Sequence, residues 1–229
     1  MLLLDVPYSE KDEAKALGAR WDPEIKKWYV SDECDYYKFL KWIYREGNTV
    51  ACENLYVVEG KKRCFKCGKE TKVISFAADN YWLFDDMESL LGERVDLDEL
   101  SRLDANNVKK NCYFTGDLNL VGMIENIPKP MYTYLRSKYN IKQCFSKTTR
   151  TTSMSNCCDN CDVLQGSFFL YEEVDSPFWI QSASDVEKLK FYKFPLKNDL
   201  IIDPGPISWS TSDSLMKEYG NFEVINLFD

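Results

Sequence analysis

Apolar and polar positions alternate weakly over Leu2 to Val6, a pattern that predicts a short strand, and Ser9-Glu10-Lys11-Asp12 then offers a serine able to cap a helix. The helix that follows carries Ala14 and Leu17 on one face and Glu10, Lys11, Glu13 and Lys15 outside. Gly18 stands where a left-handed residue would stop it. Arg20-Trp21 and Lys27-Trp28-Tyr29-Val30 flank a turn opened by Asp22-Pro23, which predicts a hairpin. A second helix is expected from about Cys34 to Arg45, where Tyr36, Phe39, Leu40 and Ile43 recur at helical spacing before Gly47.

Further along, the pattern predicts a strand over Thr71 to Ala77 and short helices over Tyr81 to Leu91 and Asp98 to Leu103. A proline-entered helix is expected over Lys129 to Tyr139, then a strand over Ile141 to Phe145. Leu164 to Leu170 can begin a helix. Phe191 to Leu196, Asp199 to Ile202 and Phe222 to Phe228 suit strands, with Asp203-Pro204-Gly205-Pro206 as a breaker between the last two. The predicted class is α+β. A small strand-helix-hairpin module is expected over residues 1–46, followed over 50–229 by a zinc-ribbon-like mixed domain with a long insert at about 79–140. Trp21 and Trp28 read as the core of a unit short of apolar area rather than as a platform for stacking bases.

The chemistry concentrates in cysteine. Cys64-Phe65-Lys66-Cys67-Gly68 places two thiols at i and i+3 with a glycine free to take the positive φ that aims backbone N–H groups at sulfur. Cys158-Asp159-Asn160-Cys161-Asp162 repeats the spacing, with aspartate, which also tolerates the left-handed region, in the glycine position. Together they offer four ligands, Cys64, Cys67, Cys158 and Cys161, for one structural zinc ion. Cys157 competes with Cys158, and the two-residue gap shared with the first knuckle favours Cys158. The 90 intervening residues far exceed the 15 to 20 or so of a compact ribbon, so a subdomain must lie between the halves.

Nine cysteines, an odd number, fit metal ligation better than a disulfide framework. The first residues lack the basic flank and apolar length of a signal peptide, and no stretch approaches the ~18 apolar residues of a membrane span. A cytoplasmic protein without membrane contact is expected. The absence of histidine excludes imidazole acid-base catalysis, serine and cysteine triads, and histidine-rich catalytic zinc.

With 29 basic and 37 acidic residues the net charge is −8, which disfavours indiscriminate coating of nucleic acid. Locally the sign reverses. Lys61, Lys62, Arg63, Lys66 and Lys69 crowd the first knuckle, and Lys147 and Arg150 precede the second. They read as compensation for thiolate charge or as a phosphate or partner contact. Asp85, Asp86, Glu88, Glu93, Asp96, Asp98 and Glu99 form the densest acidic run, read as a solvated face unless carboxylates converge on magnesium.

The stretch LDVPYSEKDEAKALGARWDPEIKKWYV resembles a small domain of unknown function found at the ends of plasmid-type DNA primases and of other bacterial, phage and mobile-element proteins. Val6-Pro7, Lys11, Lys15, Leu17-Gly18-Ala19, Trp21-Asp22 and Trp28-Tyr29 carry the likeness over roughly the first 45 residues. The run from Asn156 through Leu164-Gln165-Gly166 to Glu173 resembles uncharacterised bacterial proteins that pair this module with cysteine knuckles. The resemblance implies an accessory module and a metal, and no reaction. The expected function is a non-enzymatic, zinc-stapled interaction protein that binds a protein or, locally, a nucleic acid, with no catalytic residue. The alternatives are a nucleic-acid-processing enzyme with carboxylate-bound metal, and a thiol switch drawing on Cys157-Cys158, Cys34, Cys52, Cys112 and Cys144.

Overall fold

The structure is a computed structural model that describes every residue except 86, 93, 98, 149, 204–206, 208–212 and 229. The chain begins with β1 (Leu2–Leu4), a 3-10 turn (Tyr8–Glu10), α1 (Lys11–Ala16), β2 (Arg20–Asp22) and β3 (Lys27–Val30). A 3-10 helix (Glu33–Phe39) runs into α2 (Leu40–Ile43), then come β4 (Thr49–Ala51), β5 (Asn54–Arg63) and β6 (Glu70–Leu83). Next are α3 (Met87–Leu91), a 3-10 turn (Leu100–Arg102), α4 (Ala105–Cys112), β7 (Tyr113–Gly122), α5 (Lys129–Lys138), β8 (Ile141–Phe145) and β9 (Thr152–Asn156). The rest is α6 (Phe168–Tyr171), α7 (Ala183–Val186), β10 (Lys190–Pro195), β11 (Leu200–Ile202), α8 (Asp213–Tyr219) and β12 (Phe222–Val224). The class is α+β, as the sequence predicts.

Two compact units share this chain, and they divide it differently from a cut after residue 46. The first comprises 1–53, 80–115 and 196–203; the second comprises 54–79, 116–195 and 204–229. The stretch expected to form an insert is thus split between them. In the first unit β3 lies between β1 and β2 in an antiparallel sheet, while β4 pairs with β11 and with the last residues of β6. Its core joins Leu2, Leu4, Ala14, Val30, Tyr36 and Trp42 from the N-terminal stretch to Trp82, Phe84, Val108 and Cys112, which are far away in sequence. Asp199 closes the unit: it accepts from the Tyr36 hydroxyl and the Glu53 amide, and pairs with the N-terminal amine at 3.1 Å. Tyr81 to Leu83, expected to begin a helix, instead end β6, because their side chains pack in the core opposite β4.

The aromatic expectation needs correction too. Trp28 packs against this core, but Trp21 meets it only edge-on through Trp28, at 5.7 Å between ring centroids, and remains 49% exposed. In the second unit β5 lies between β6 and β10, and β12 joins β10 in parallel. From Asn54 to Gly60 β5 is buried without alternation, so it has no polar face from which period-two patterning can be read. The turn between β5 and β6 is the first cysteine knuckle. β8 and β9 form a separate hairpin that leads into the second.

Candidate metal centre

Each knuckle is held open by the same two backbone hydrogen bonds. The Cys64 amide donates to the Lys69 carbonyl and the Gly68 amide to the Cys64 carbonyl, both at 2.9 Å. In the second knuckle the Cys158 amide donates to Val163 and the Asp162 amide to Cys158, again at 2.9 Å. The turn requires a left-handed residue just after the second cysteine, and it finds one in each copy, Gly68 at φ 71° and Asp162 at φ 61°. Aspartate tolerates that backbone here because its carboxylate accepts from Asn140 Nδ2 and pairs with Lys142.

The halves meet because the second knuckle is fastened along β6. Asn156, 2% exposed, accepts from the Ile74 amide and donates to the Ile74 carbonyl, both at 2.8 Å, as a neighbouring strand would. The Asp159 amide donates to Thr71 Oγ1, the Lys72 amide donates to the Asp159 carboxylate, and Asn160 Nδ2 reaches the Glu70 carbonyl. These bonds place the four sulfurs together. Cys64 lies 3.7 Å from Cys161 and Cys67 lies 3.7 Å from Cys158, and all four sulfurs lie within 4.8 Å of one another.

That geometry fits one ion. A tetrahedron of sulfurs at about 2.3 Å from a central zinc has an edge of about 3.8 Å. Four thiolates suit a thiophilic ion and leave no open coordination position. The thiols also resist ionising together. Burial pushes the Cys64 thiol up, but the Cys67 and Lys66 amides, with Cys158 and Cys161, bring it down to about 6. Burial likewise opposes, and the Asn160 and Cys161 amides outweigh it, so that Cys158 falls too. The Val163 amide favours the Cys161 thiolate, yet burial and the three neighbouring sulfurs leave that thiol at about 12. Four negative charges cannot share this space unless a metal neutralises them. Gln165 Nε2, 3.6 Å from Cys64 Sγ, and the Asn160 amide, 3.4 Å from Cys158 Sγ, donate to the sulfurs.

Cys157 points elsewhere: its sulfur is 3.1 Å from Cys144, and burial with that contact pushes its thiol up to about 12. The Cys157–Cys158 ambiguity therefore resolves in favour of Cys158 as the residue that joins the cluster. Among the described residues, this is the one set of three or more Cys, Asp or Glu side chains whose ligating atoms converge. Asp85, Glu88, Asp96 and Glu99 form no such set, and Asp86, Glu93 and Asp98 lie outside the described residues.

With the geometry in view, comparison with known proteins adds one relation. Residues 1–43 match the domain of unknown function DUF5710. Two relatives from Escherichia coli, both named DNA primase TraC, are 56% identical to this chain, one over 50 residues and one over 39. Those stretches are 22% and 17% of this chain but only 5% and 3% of the relatives' lengths. No solved structure matches. The DUF5710 stretch falls within the first unit, whereas all four clustered cysteines belong to the second.

The basic residues divide. Lys61 pairs with Glu70 at 2.9 Å, and Lys62 donates to the Phe169 carbonyl and pairs with Glu173. Arg63, Lys66 and Lys69 are exposed, with no carboxylate partner among the described residues. Lys147 and Arg150 sit in the turn between β8 and β9, and no hydrogen bond or ion pair among the described residues links them to the first knuckle. Sequence reasoning missed the aromatic neighbours of that knuckle. Phe65 stacks on Phe169 at 5.9 Å and Phe168 meets Phe169 edge-on at 5.5 Å, and all three are exposed. The signal was present in the pairing of a knuckle aromatic with Phe168-Phe169, which no local pattern connects.

Proposed function

We propose that this protein is a non-enzymatic interaction module stapled by one structural zinc ion and working in the cytoplasm, where thiols stay reduced. The convergence of Cys64, Cys67, Cys158 and Cys161 in a closed set of four sulfurs carries the reading. A closed site stabilises a fold and has no position at which to activate water. Zinc is favoured over redox-active ions because it holds tetrahedral thiolates without electron chemistry. The enzyme alternative needs converging carboxylates, and the one convergent set of ligating side chains among the described residues is made of sulfur.

The partner is a protein or, at a local patch, a nucleic acid. DNA appears in the name of the relatives that share the N-terminal stretch, and this favours the nucleic-acid side of that choice. No helix of the described residues is long and apolar enough to cross a membrane. Elemental analysis of protein purified under reducing conditions tests the reading: one zinc per chain is expected, and its absence, or a redox-active iron in its place, overturns it.

A further inference from the structure

Three phenylalanines stand out of the protein beside the first knuckle. Phe65, 62% exposed, occupies the turn between the two cysteines; Phe168 and Phe169, 54% and 37% exposed, open α6. The contacts described above make them one continuous ridge rather than three scattered rings, and an exposed apolar cluster of this kind marks a contact surface. The ridge is braced. Lys62 lies 5.0 Å from the Phe169 ring centroid while it donates to the Phe169 carbonyl, and the hydrogen-bonded knuckle turn carries Phe65.

Cations flank the knuckle ring in sequence, and Glu173 pairs with Lys62 at 3.6 Å. Arg63, Lys66 and Lys69 are exposed cations with no carboxylate partner among the described residues. The exposed acids Glu172 and Asp175 follow α6 in sequence. A ligand that fits has flat apolar faces along one edge and repeated negative charge along the other. Single-stranded nucleic acid has that form: every base offers a face for stacking, and the phosphates lie to one side. A duplex does not fit, because its bases are already stacked on one another.

We propose that the ridge formed by Phe65, Phe168 and Phe169 docks single-stranded DNA, with bases stacked on the rings and phosphates held by Arg63, Lys66 and Lys69. The inference rests on the reading of the protein as a metal-stapled interaction module, and it specifies that module's partner. It is compatible with the net charge of −8, since binding confined to one cationic flank needs no basic surface elsewhere.

The test uses the full-length, zinc-loaded protein and a fluorescein-labelled twelve-nucleotide oligothymidylate, followed by anisotropy at several salt concentrations. Binding is expected, and Phe65→Ala and Phe168→Ala are each expected to weaken it by about 5- to 160-fold, the range for loss of one base-stacking ring. Combined Lys66→Gln and Lys69→Gln is expected to reduce the slope of log Kd against log salt by about 1.4, for two lost phosphate contacts on a single strand. Tyr8→Ala, an exposed aromatic of the first unit, is expected to change nothing. Zinc content and thermal melts on the same samples separate the two readings. A zinc-loaded, folded protein that fails to bind the oligonucleotide, binds duplex or the matching RNA more tightly, or binds equally after Phe65→Ala overturns the DNA proposal and leaves the stapled module standing. A protein without zinc overturns the module reading itself.

Discussion

Replacing Cys158 with serine removes one sulfur from the tetrahedron and is expected to empty the site, which releases a tie between positions 91 apart in sequence. The consequence follows from chain entropy. Closing a loop of that length costs the unfolded chain about 4.6 kcal/mol by the cross-link relation, and a metal held by the four sulfurs would supply this constraint as a disulfide does. A domain of ordinary stability holds about 5 to 15 kcal/mol, so the tie is a third of the total or more. For a chain of 229 residues each 1 kcal/mol moves the melting temperature by about 2 to 4 °C, which predicts a fall of about 9 to 18 °C. Near-UV circular dichroism melts of the wild type, the wild type with chelator, and Cys158→Ser are the assay. Chelated wild type and variant are expected to coincide, and chelator is expected to move the variant no further. Cys34→Ser is the control, because Cys34 contacts Lys109 in the first unit and its loss is expected to cost under about 0.5 kcal/mol. A Cys158→Ser melt within about 2 °C of wild type, or a Cys34→Ser shift as large as that of Cys158→Ser, refutes the reasoning.

Other outcomes follow from the same contacts. Asn156→Ala leaves the Ile74 amide and carbonyl buried without partners and is expected to cost about 3 kcal/mol in urea denaturation. Asp162→Gly, which relaxes a left-handed backbone but loses the exposed pair with Lys142, is expected to stay within about 1 kcal/mol of wild type, whereas Asp162→Val, strained at φ 61°, is expected to lose about 2. Deleting residues 1–43 uncovers Trp82, Phe84 and Val108 and is expected to raise binding of a hydrophobic dye, with one zinc per chain retained because the four cysteines belong to the other unit. Lys188 and Ser182 hold the Asp185 carboxyl down at about 2, below its unfolded value. Its contribution is therefore complete above about pH 5 and is lost as the pH falls through about 2. Asp185→Asn is expected to remove about 1 kcal/mol at pH 7 and progressively less as the pH is lowered, with only a fraction of that loss left at pH 2, as read from paired denaturation curves.

How much was legible in the sequence depended on how local the determining interactions are. The knuckles were legible because two cysteines three apart and one left-handed residue make a self-contained turn, and Asp162 could be read as Gly68's counterpart from backbone preference alone. The first hairpin and the helix of Lys129–Lys138 were legible for similar reasons. The division into units was not, because Trp82, Phe84 and Cys112 join a core begun by Leu2 and Leu4, and no window spans that distance. β5 lacked alternation because both its faces are covered. Trp21 misled because aromatic content signals a core, while its place on an edge strand of a three-stranded sheet leaves it half in water.

Asn156 has a further consequence for the cysteine beside it. Two thiols in succession, Cys157 and Cys158, present the ion with an ambiguous reading frame, since sliding the chain by one position would offer the wrong sulfur. The same slide would turn the Asn156 amide group out of its paired bonds with Ile74 and strand two buried backbone groups, a penalty of about 2 to 6 kcal/mol. At the upper end of that range the misplaced form would be populated less than about once in ten thousand molecules. A side chain outside the cluster of sulfurs thus proofreads which cysteine joins it.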